Sequence, residues 1–199
     1  LILHAIEHGY REFIIGIGGS ATNDAGLGML QALGFRFYDQ DGEILGKGGQ
    51  ILDQIVAIDF SSVHPALKDA RFTIACDVRN PFSGPEGAAY VFARQKGADD
   101  AMIEKLNAGM KRFSRLIHST TGREITEVAG AGAAGGLGGA FLAFLNAELK
   151  PGIELLLRTL KFDEKIKDAD LIITGEGRVD RQSVMGKVPF GILEEANKQ

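Results

Sequence analysis

The chain has 199 residues, of which 45% are apolar and 24% charged, and its net charge of −4 gives a pI near 5.6. No basic stripe is present to neutralise phosphates, which argues against a nucleic-acid-binding protein. The single cysteine, Cys76, excludes an internal disulfide framework and is typical of a reducing compartment, and no apolar run approaches the ~20 residues of a membrane span. We therefore expect a soluble cytoplasmic enzyme that binds neither nucleic acid nor membrane.

Both ends of the sequence lie inside helical patterns. The chain begins at Leu1, already within a pattern that stops at Gly9, and it closes within the segment PFGILEEANKQ. We therefore expect residues 1–199 to be the central region of a longer protein.

The sequence is organised around Phe13 to Gly28, FIIGIGGSATNDAGLG. An apolar strand (13–17) leads into a glycine-rich turn, and polar residues 20–24 are predicted to open a helix. Glycines allow a ligand to approach the backbone, and free amides at a helix start favour an anion such as phosphate or carboxylate. The alternative is a plain strand-to-helix turn in which Ser20 or Asn23 is the N-cap.

A second strand is predicted at Phe35 to Tyr38, with Asp39 at its end. Gly16, Gly18 and Ala21 then match the dinucleotide fingerprint G-x-G-x-x-A, and Asp39 lies near the distance expected for a ribose-binding acid. A nicotinamide-dependent oxidoreductase of the Rossmann type is therefore a rival hypothesis.

Two further buried strands are predicted at 55–60 and 72–77, and the second ends in Cys76-Asp77. A carboxylate at the carboxyl end of a buried strand lies where open α/β sheets bind ligands. Asp77 is therefore a candidate ligand, and the alternative is a cap of the following Asn-Pro turn. The whole pattern predicts an α/β fold with a mostly parallel sheet flanked by helices.

Downstream, an amphipathic helix is predicted from Asp99 to His118, followed by a second glycine-rich segment at 130–152. The second segment contains G-x-G-x-x-G at Gly130, Gly132 and Gly135. Two interpretations stay open for it: close backbone approach to a nucleotide, or small residues that allow tight helix packing.

The last predicted strand, Leu171 to Thr174, enters a glycine-containing loop that carries charges of both signs. The sequence thus contains three glycine-rich loops, together with a set of cations and the acids Asp24, Asp77 and Glu176. Phosphoryl transfer needs amides and cations for charged oxygens and acids for Mg²⁺, whereas hydride transfer needs no metal ligands. The cations are Lys96, Arg178 and Lys187.

Five ordered motifs resemble the bacterial glycerate kinase family of glyoxylate and glucarate degradation. They are IIGIGGSATNDAGLGMLQALG, ACDVRNPFSGPEGA, QKGA, GAGAAGGLGGAFLAFLNAELKPGIE and DLIITGEGRVDRQSVMGKVP. The resemblance implies phosphorylation of D-glycerate by ATP and Mg²⁺, giving 2-phosphoglycerate in most members and 3-phosphoglycerate in older descriptions. It also implies a two-domain α/β kinase with its active site in the cleft.

The matching motif positions carry residues whose chemistry suits this reaction. We predict that Gly18, Gly19, Ser20 and Asn23 bind phosphate or the glycerate carboxylate and that Asp77 and Glu176 hold Mg²⁺. Asp180 is predicted to orient or deprotonate the substrate hydroxyl. Arg178 and Lys187 are predicted to neutralise the charge on the transferring group. Two further hypotheses are not excluded by the sequence. The protein could form a homodimer, and residues 1–199 could be a non-catalytic fragment that binds its ligands only together with the N-terminal and C-terminal segments of the longer protein.

Overall fold

The computed structural model describes residues 1–175, 177 and 188–198. The chain divides into two compact units, Leu1–Leu149 and Lys150–Gln199. Its strands are β1 (Glu12–Gly16), β2 (Arg36–Tyr38), β3 (Ala57–Asp59), β4 (Arg71–Ala75) and β5 (Glu148–Lys150). Its α-helices are α1 (Ile2–Glu7), α2 (Leu27–Ala32), α3 (Asp100–Thr121), α4 (Ala133–Phe144), α5 (Gly152–Thr159), α6 (Phe162–Ile166) and α7 (Val188–Ala196).

A three-stranded sheet of order β1-β4-β5 lies at the centre of the fold, and β1 and β4 run parallel with Gly16 opposite Ala75. More buried and less buried residues alternate along both strands, as the period of two of a β-strand requires. Phe72 stacks on Phe13 at 4.9 Å between ring centroids and lies 5.9 Å from Phe141 of α4. These contacts attach a helix to the sheet and confirm the predicted α/β class.

The strands β2 and β3 form a separate antiparallel pair in which Phe37 lies opposite Ile58. The Rossmann hypothesis requires the strand after the glycine loop to join β1 in a parallel sheet. β2 does not do so. The carboxylate of Asp39 instead accepts the amides of Asp41 and Glu43, each at 3.0 Å, and so stabilises its own turn.

The helix α3 confirms the predicted amphipathic helix with slightly different ends. Asp99 is its N-cap and accepts the amide of Met102 at 2.8 Å, and Gly122 ends it in the left-handed conformation. Its apolar face includes Met110 and Phe113, which are fully buried. This face and the aromatic residues of β2 and α4 form the core of the first unit.

The second unit contains α5, α6 and α7 in its described part. The prediction of a buried strand at 171–174 is wrong. These residues have no regular secondary structure, and Leu171 and Ile173 are 76% and 87% exposed. A strand is stabilised by a neighbouring strand, and no described residue pairs with this segment. No helix within the described ranges is long and apolar enough to cross a membrane.

Candidate functional site

A cavity of about 260 Å³ lies where β1 and β4 end. Because the two strands are parallel, the segments that follow them leave the same edge of the sheet. The loop at 18–20 therefore faces the segment at 76–78. Other lining residues come from residues 92–96 and from the start of α4: Phe92, Gln95, Lys96, Ala133 and Ala134.

The glycine loop is open on the side of this cavity. A Cβ on Gly16, Gly18 or Gly19 would meet no described atom within 4 Å. In the described part of the chain, the amides of Gly18, Gly19 and Ser20 donate no hydrogen bond. Unpaired amides beside an open space are available to a ligand, and anionic oxygens are their natural acceptors.

Lys96 closes the cavity on the opposite side. Its Nζ donates to Ser20 Oγ at 2.8 Å and to the carbonyl oxygen of Thr22 at 2.6 Å. Lys96 is the last residue of a short 3₁₀ segment, Arg94–Lys96, which follows a π-helix, Ala89–Ala93, and is capped by left-handed Gly97. Burial lowers the pKa of Lys96, and the negative charge of Asp24 opposes this effect.

Asp77 and Cys76 come from the end of β4, as predicted from the sequence. Both line the cavity; Asp77 is exposed and Cys76 is half-buried. The thiol of Cys76 donates to the carbonyl oxygen of Val78 at 3.3 Å, and burial raises the pKa of this thiol. Asp77 thus contributes a carboxylate to the cavity, whereas Cys76 stays protonated and packs against the turn.

The second glycine-rich segment packs against protein and is not open. A Cβ on Gly135 would overlap the carbonyl oxygen of Thr22, and one on Gly132 would overlap that of Pro81. The carbonyl oxygen of Gly135 also accepts the amide of Ala25 at 2.9 Å. Of the two interpretations, tight packing is therefore favoured, and the packing partners are the backbone at Thr22, after the first glycine loop, and the backbone at Pro81.

Asn23 and Asp24 do not line the main cavity. Asn23 lines a neighbouring cavity of about 330 Å³, where its Oδ1 is buried without a described partner. The carboxylate of Asp24 accepts the amides of Gly26 at 3.0 Å and Gly28 at 3.1 Å. The prediction that residues 20–24 begin a helix is wrong, because α2 begins only at Leu27. Asp24 stabilises the start of α2 through these two hydrogen bonds.

The structure thus brings together Gly18, Gly19, Ser20 and Asp77, and it places Asn23 one cavity away. Four predicted site residues, Glu176, Arg178, Asp180 and Lys187, lie outside the described residues. Sequence reasoning missed Phe92, Gln95 and Ala134 as lining residues. Residues 92–96 carry one sequence signal for a binding site, the lysine in Gln95-Lys96-Gly97. The π-helix that positions them could not be predicted, because such helices are rare and short.

The described site is a cavity at the carboxyl edge of the parallel strands of an α/β protein, and its unpaired amides and ammonium group suit an anionic ligand. The model of the glycerate kinase family matches residues 1–199. The chain is 49% identical over 198 residues to the glycerate 2-kinase of Escherichia coli K12 and 47% identical over 198 residues to the glycerate kinase of Halalkalibacterium halodurans. Both alignments cover 100% of this chain and 52% of the relative.

A crystal structure described as that of glycerate kinase 2 from Salmonella typhimurium LT2 superposes with a TM-score of 0.91 at 46% identity. The match covers 99% of this chain and 53% of that one. The chain belongs to the glycerate kinase family, and it spans about half the length of the curated relatives it matches.

Proposed function

We propose that the chain is the central α/β region of a longer, cytoplasmic glycerate kinase that transfers a phosphoryl group from ATP to D-glycerate. As the family resemblance implies, the full-length enzyme would have two α/β domains, and the matched relatives are about twice as long as this chain. We favour 2-phosphoglycerate as the product, because one of these relatives is named a glycerate 2-kinase.

The open glycine loop is the observation that carries this proposal. Gly18, Gly19 and Ser20 offer three unpaired amides to a cavity that also contains Lys96 and Asp77. Both proposed substrates are anions, and amides together with an ammonium group bind carboxylate or phosphate oxygens. Donors fixed by the fold before the ligand binds also hold the reacting groups in position at little further cost.

The carboxylate of Asp77 fits a magnesium site. Mg²⁺ binds oxygen ligands and commonly takes one or two carboxylates together with phosphate oxygens and water. We propose Asp77 and Glu176 as these carboxylates, Asp180 as the group that accepts the hydroxyl proton of glycerate, and Arg178 and Lys187 as neutralising cations. The bound ion would offset negative charge on the transferring phosphoryl group.

A thermal melt of the 199-residue chain tests where the ligands bind. Mg²⁺-ATP, D-glycerate, both together and NADH are each added, because a ligand that binds only the native state raises the midpoint. We expect stabilisation by D-glycerate or Mg²⁺-ATP of up to about 2.7 kcal/mol at a hundredfold excess over Kd, and no effect of NADH. Stabilisation by NADH alone would contradict the kinase proposal and favour an oxidoreductase.

An assay of the full-length enzyme separates a wrong function from an incomplete site. Activity of the full-length enzyme without any ligand-induced shift in the 199-residue chain would mean that segments beyond this chain complete the binding site. Absence of glycerate phosphorylation by the full-length enzyme would refute the function itself. Phosphorus NMR identifies the product, since the phosphate of 2-phosphoglycerate couples to one neighbouring proton and that of 3-phosphoglycerate to two.

A further inference from the structure

Lys96 lies in the wall between two cavities. The first is the cavity of the glycine loop, of about 260 Å³, and the second, of about 330 Å³, is lined by Asn23 and by residues of α3. Among the described residues, Lys96 is the one side chain that lines both. A group that passes between ligands in these cavities would pass this ammonium.

The ammonium of Lys96 retains a donor for a ligand. An ammonium has three N–H groups, and Nζ donates to Ser20 Oγ and to the carbonyl oxygen of Thr22. Both acceptors are uncharged, and no ion pair of Lys96 occurs in the described part of the chain. Desolvation disfavours this half-buried cation, the negative charge of Asp24 offsets part of that cost, and an anionic ligand would offset more of it.

The fold fixes the position of this group. Ala93, directly after Phe92 in the π-helix, is buried, and Gly97 ends the segment in the left-handed conformation at φ 97°. The two hydrogen bonds at 2.8 and 2.6 Å then hold Nζ against the glycine loop across 76 and 74 residues of sequence. The charge is therefore in place before a ligand binds, as electrostatic catalysis requires.

We propose that Lys96 is a catalytic residue that binds the oxygens of the phosphoryl group while this group is transferred from ATP to glycerate. This inference rests on the proposed function. In the step, the bond between the γ-phosphorus and its bridging oxygen breaks and ADP keeps the electron pair. The glycerate hydroxyl oxygen forms the new P–O bond, and its proton passes to Asp180, the proposed acceptor. Lys96 stabilises the negative charge on the non-bridging oxygens throughout.

The test compares Lys96→Met with Lys111→Met in the full-length enzyme. Lys111 is an exposed lysine of α3 that lines neither cavity, and it serves as the matched control. We expect Lys96→Met to lower kcat by about 10²–10³-fold, with both KM values changed less than kcat, because the lost contact acts in the transition state. The kcat of Lys111→Met should stay within about threefold of the wild-type kcat. A kcat of Lys96→Met within about threefold of wild type would overturn the proposal.

Two further variants exclude a purely structural role. Ser20→Ala removes one of the two hydrogen bonds of Lys96 and keeps the charge, so we expect it to lose less kcat than Lys96→Met. Equal losses would mean that Lys96 only holds the loop, and they would overturn the catalytic role. Should Lys96→Met fail to fold in a melt, Lys96→Gln keeps hydrogen-bond donors without the charge and is expected to show the same loss of kcat.

The oxyanion that contacts Lys96 could also be the glycerate carboxylate. In that case Lys96→Met would raise KM for D-glycerate and leave kcat and the KM for ATP unchanged, which would overturn the phosphoryl assignment. If the wild type does not phosphorylate glycerate at all, the proposed function fails by itself. Inorganic phosphate then tests anion binding alone: it should stabilise the wild type more than Lys96→Met in a melt, and equal stabilisation would overturn the role of Lys96.

Discussion

The contrast between the two glycine-rich segments gives the sharpest stability prediction. Gly135 has φ 70°, and a Cβ there would overlap the carbonyl oxygen of Thr22. An alanine in the left-handed region costs about 1–2 kcal/mol, and overpacking a close contact costs about 1–3 kcal/mol. Gly135→Ala should therefore lower the free energy of unfolding by about 2–5 kcal/mol, a large fraction of the about 5–15 kcal/mol of a typical domain.

Gly18→Ala is the matched control. Its φ lies outside the left-handed region, and an added Cβ meets no described atom within 4 Å. We expect the free energy of unfolding to be unchanged or raised by up to about 1 kcal/mol. Anion binding should nevertheless weaken, because the methyl group would occupy space beside the free amides.

Urea unfolding followed by far-UV circular dichroism measures both variants, since the chain has no tryptophan for fluorescence. With m of about 2–3 kcal/mol/M, Gly135→Ala should lower the midpoint by about 0.7–2.5 M. A Gly135→Ala midpoint equal to that of the wild type would refute the packing argument. Equal destabilisation by Gly18→Ala would refute the inference that the first loop is open.

The remaining predictions concern buried polar groups and pH. In urea unfolding, Asn107→Ala should lower the free energy of unfolding by about 1–3 kcal/mol, because Asn107 Oδ1 accepts the amide of Gly84 at 2.9 Å. Ser83→Ala should leave the free energy of unfolding unchanged, since the buried Oγ of Ser83 has no described partner. A decrease of more than about 1 kcal/mol in Ser83→Ala would contradict this prediction. Anion binding needs protonated Lys96, so activity should be present below the pKa of Lys96 and fall as pH rises through it. Asp24→Asn removes the charge that raises this pKa and should shift the alkaline limb of kcat/KM to lower pH, whereas Lys96→Arg should shift it upward. If the alkaline limb of kcat/KM does not shift in either variant, a group other than Lys96 titrates there. The other titratable or charged side chains lining the two cavities are Asp77, Cys76 and Lys105.

The sheet and its ligand edge could be predicted because they depend on local patterns. Short apolar runs with β-branched residues predicted β1 and β4, and the parallel arrangement then placed Asp77 beside the glycine loop. The same patterns failed where the answer depended on distant chain segments. Leu171 to Thr174 is as apolar as β1, but no described strand lies beside it, so composition alone did not make it a strand.

The site was predictable at the ends of β1 and β4, but not on the wall that carries Lys96. Gly18, Gly19 and Ser20 are consecutive, so one motif identified them together. The opposite wall depends on a hydrogen bond between Lys96 and Ser20 across 76 residues, and no spacing rule indicates such a contact. The role of the second glycine segment also needed coordinates, because Gly135 and an open glycine such as Gly18 look alike in a sequence.

The backbone contact between the two glycine-rich segments has a consequence for how the cavity can change shape. Gly135 touches the carbonyl oxygen of Thr22, the same oxygen that accepts a hydrogen bond from Lys96. Main chain supports the glycine loop at this point, so this part of the loop cannot move back by a change of side-chain rotamer. Widening the cavity at the glycine loop would therefore require moving the start of α4, whereas the wall that carries Phe92 and Gln95 can adjust through side chains.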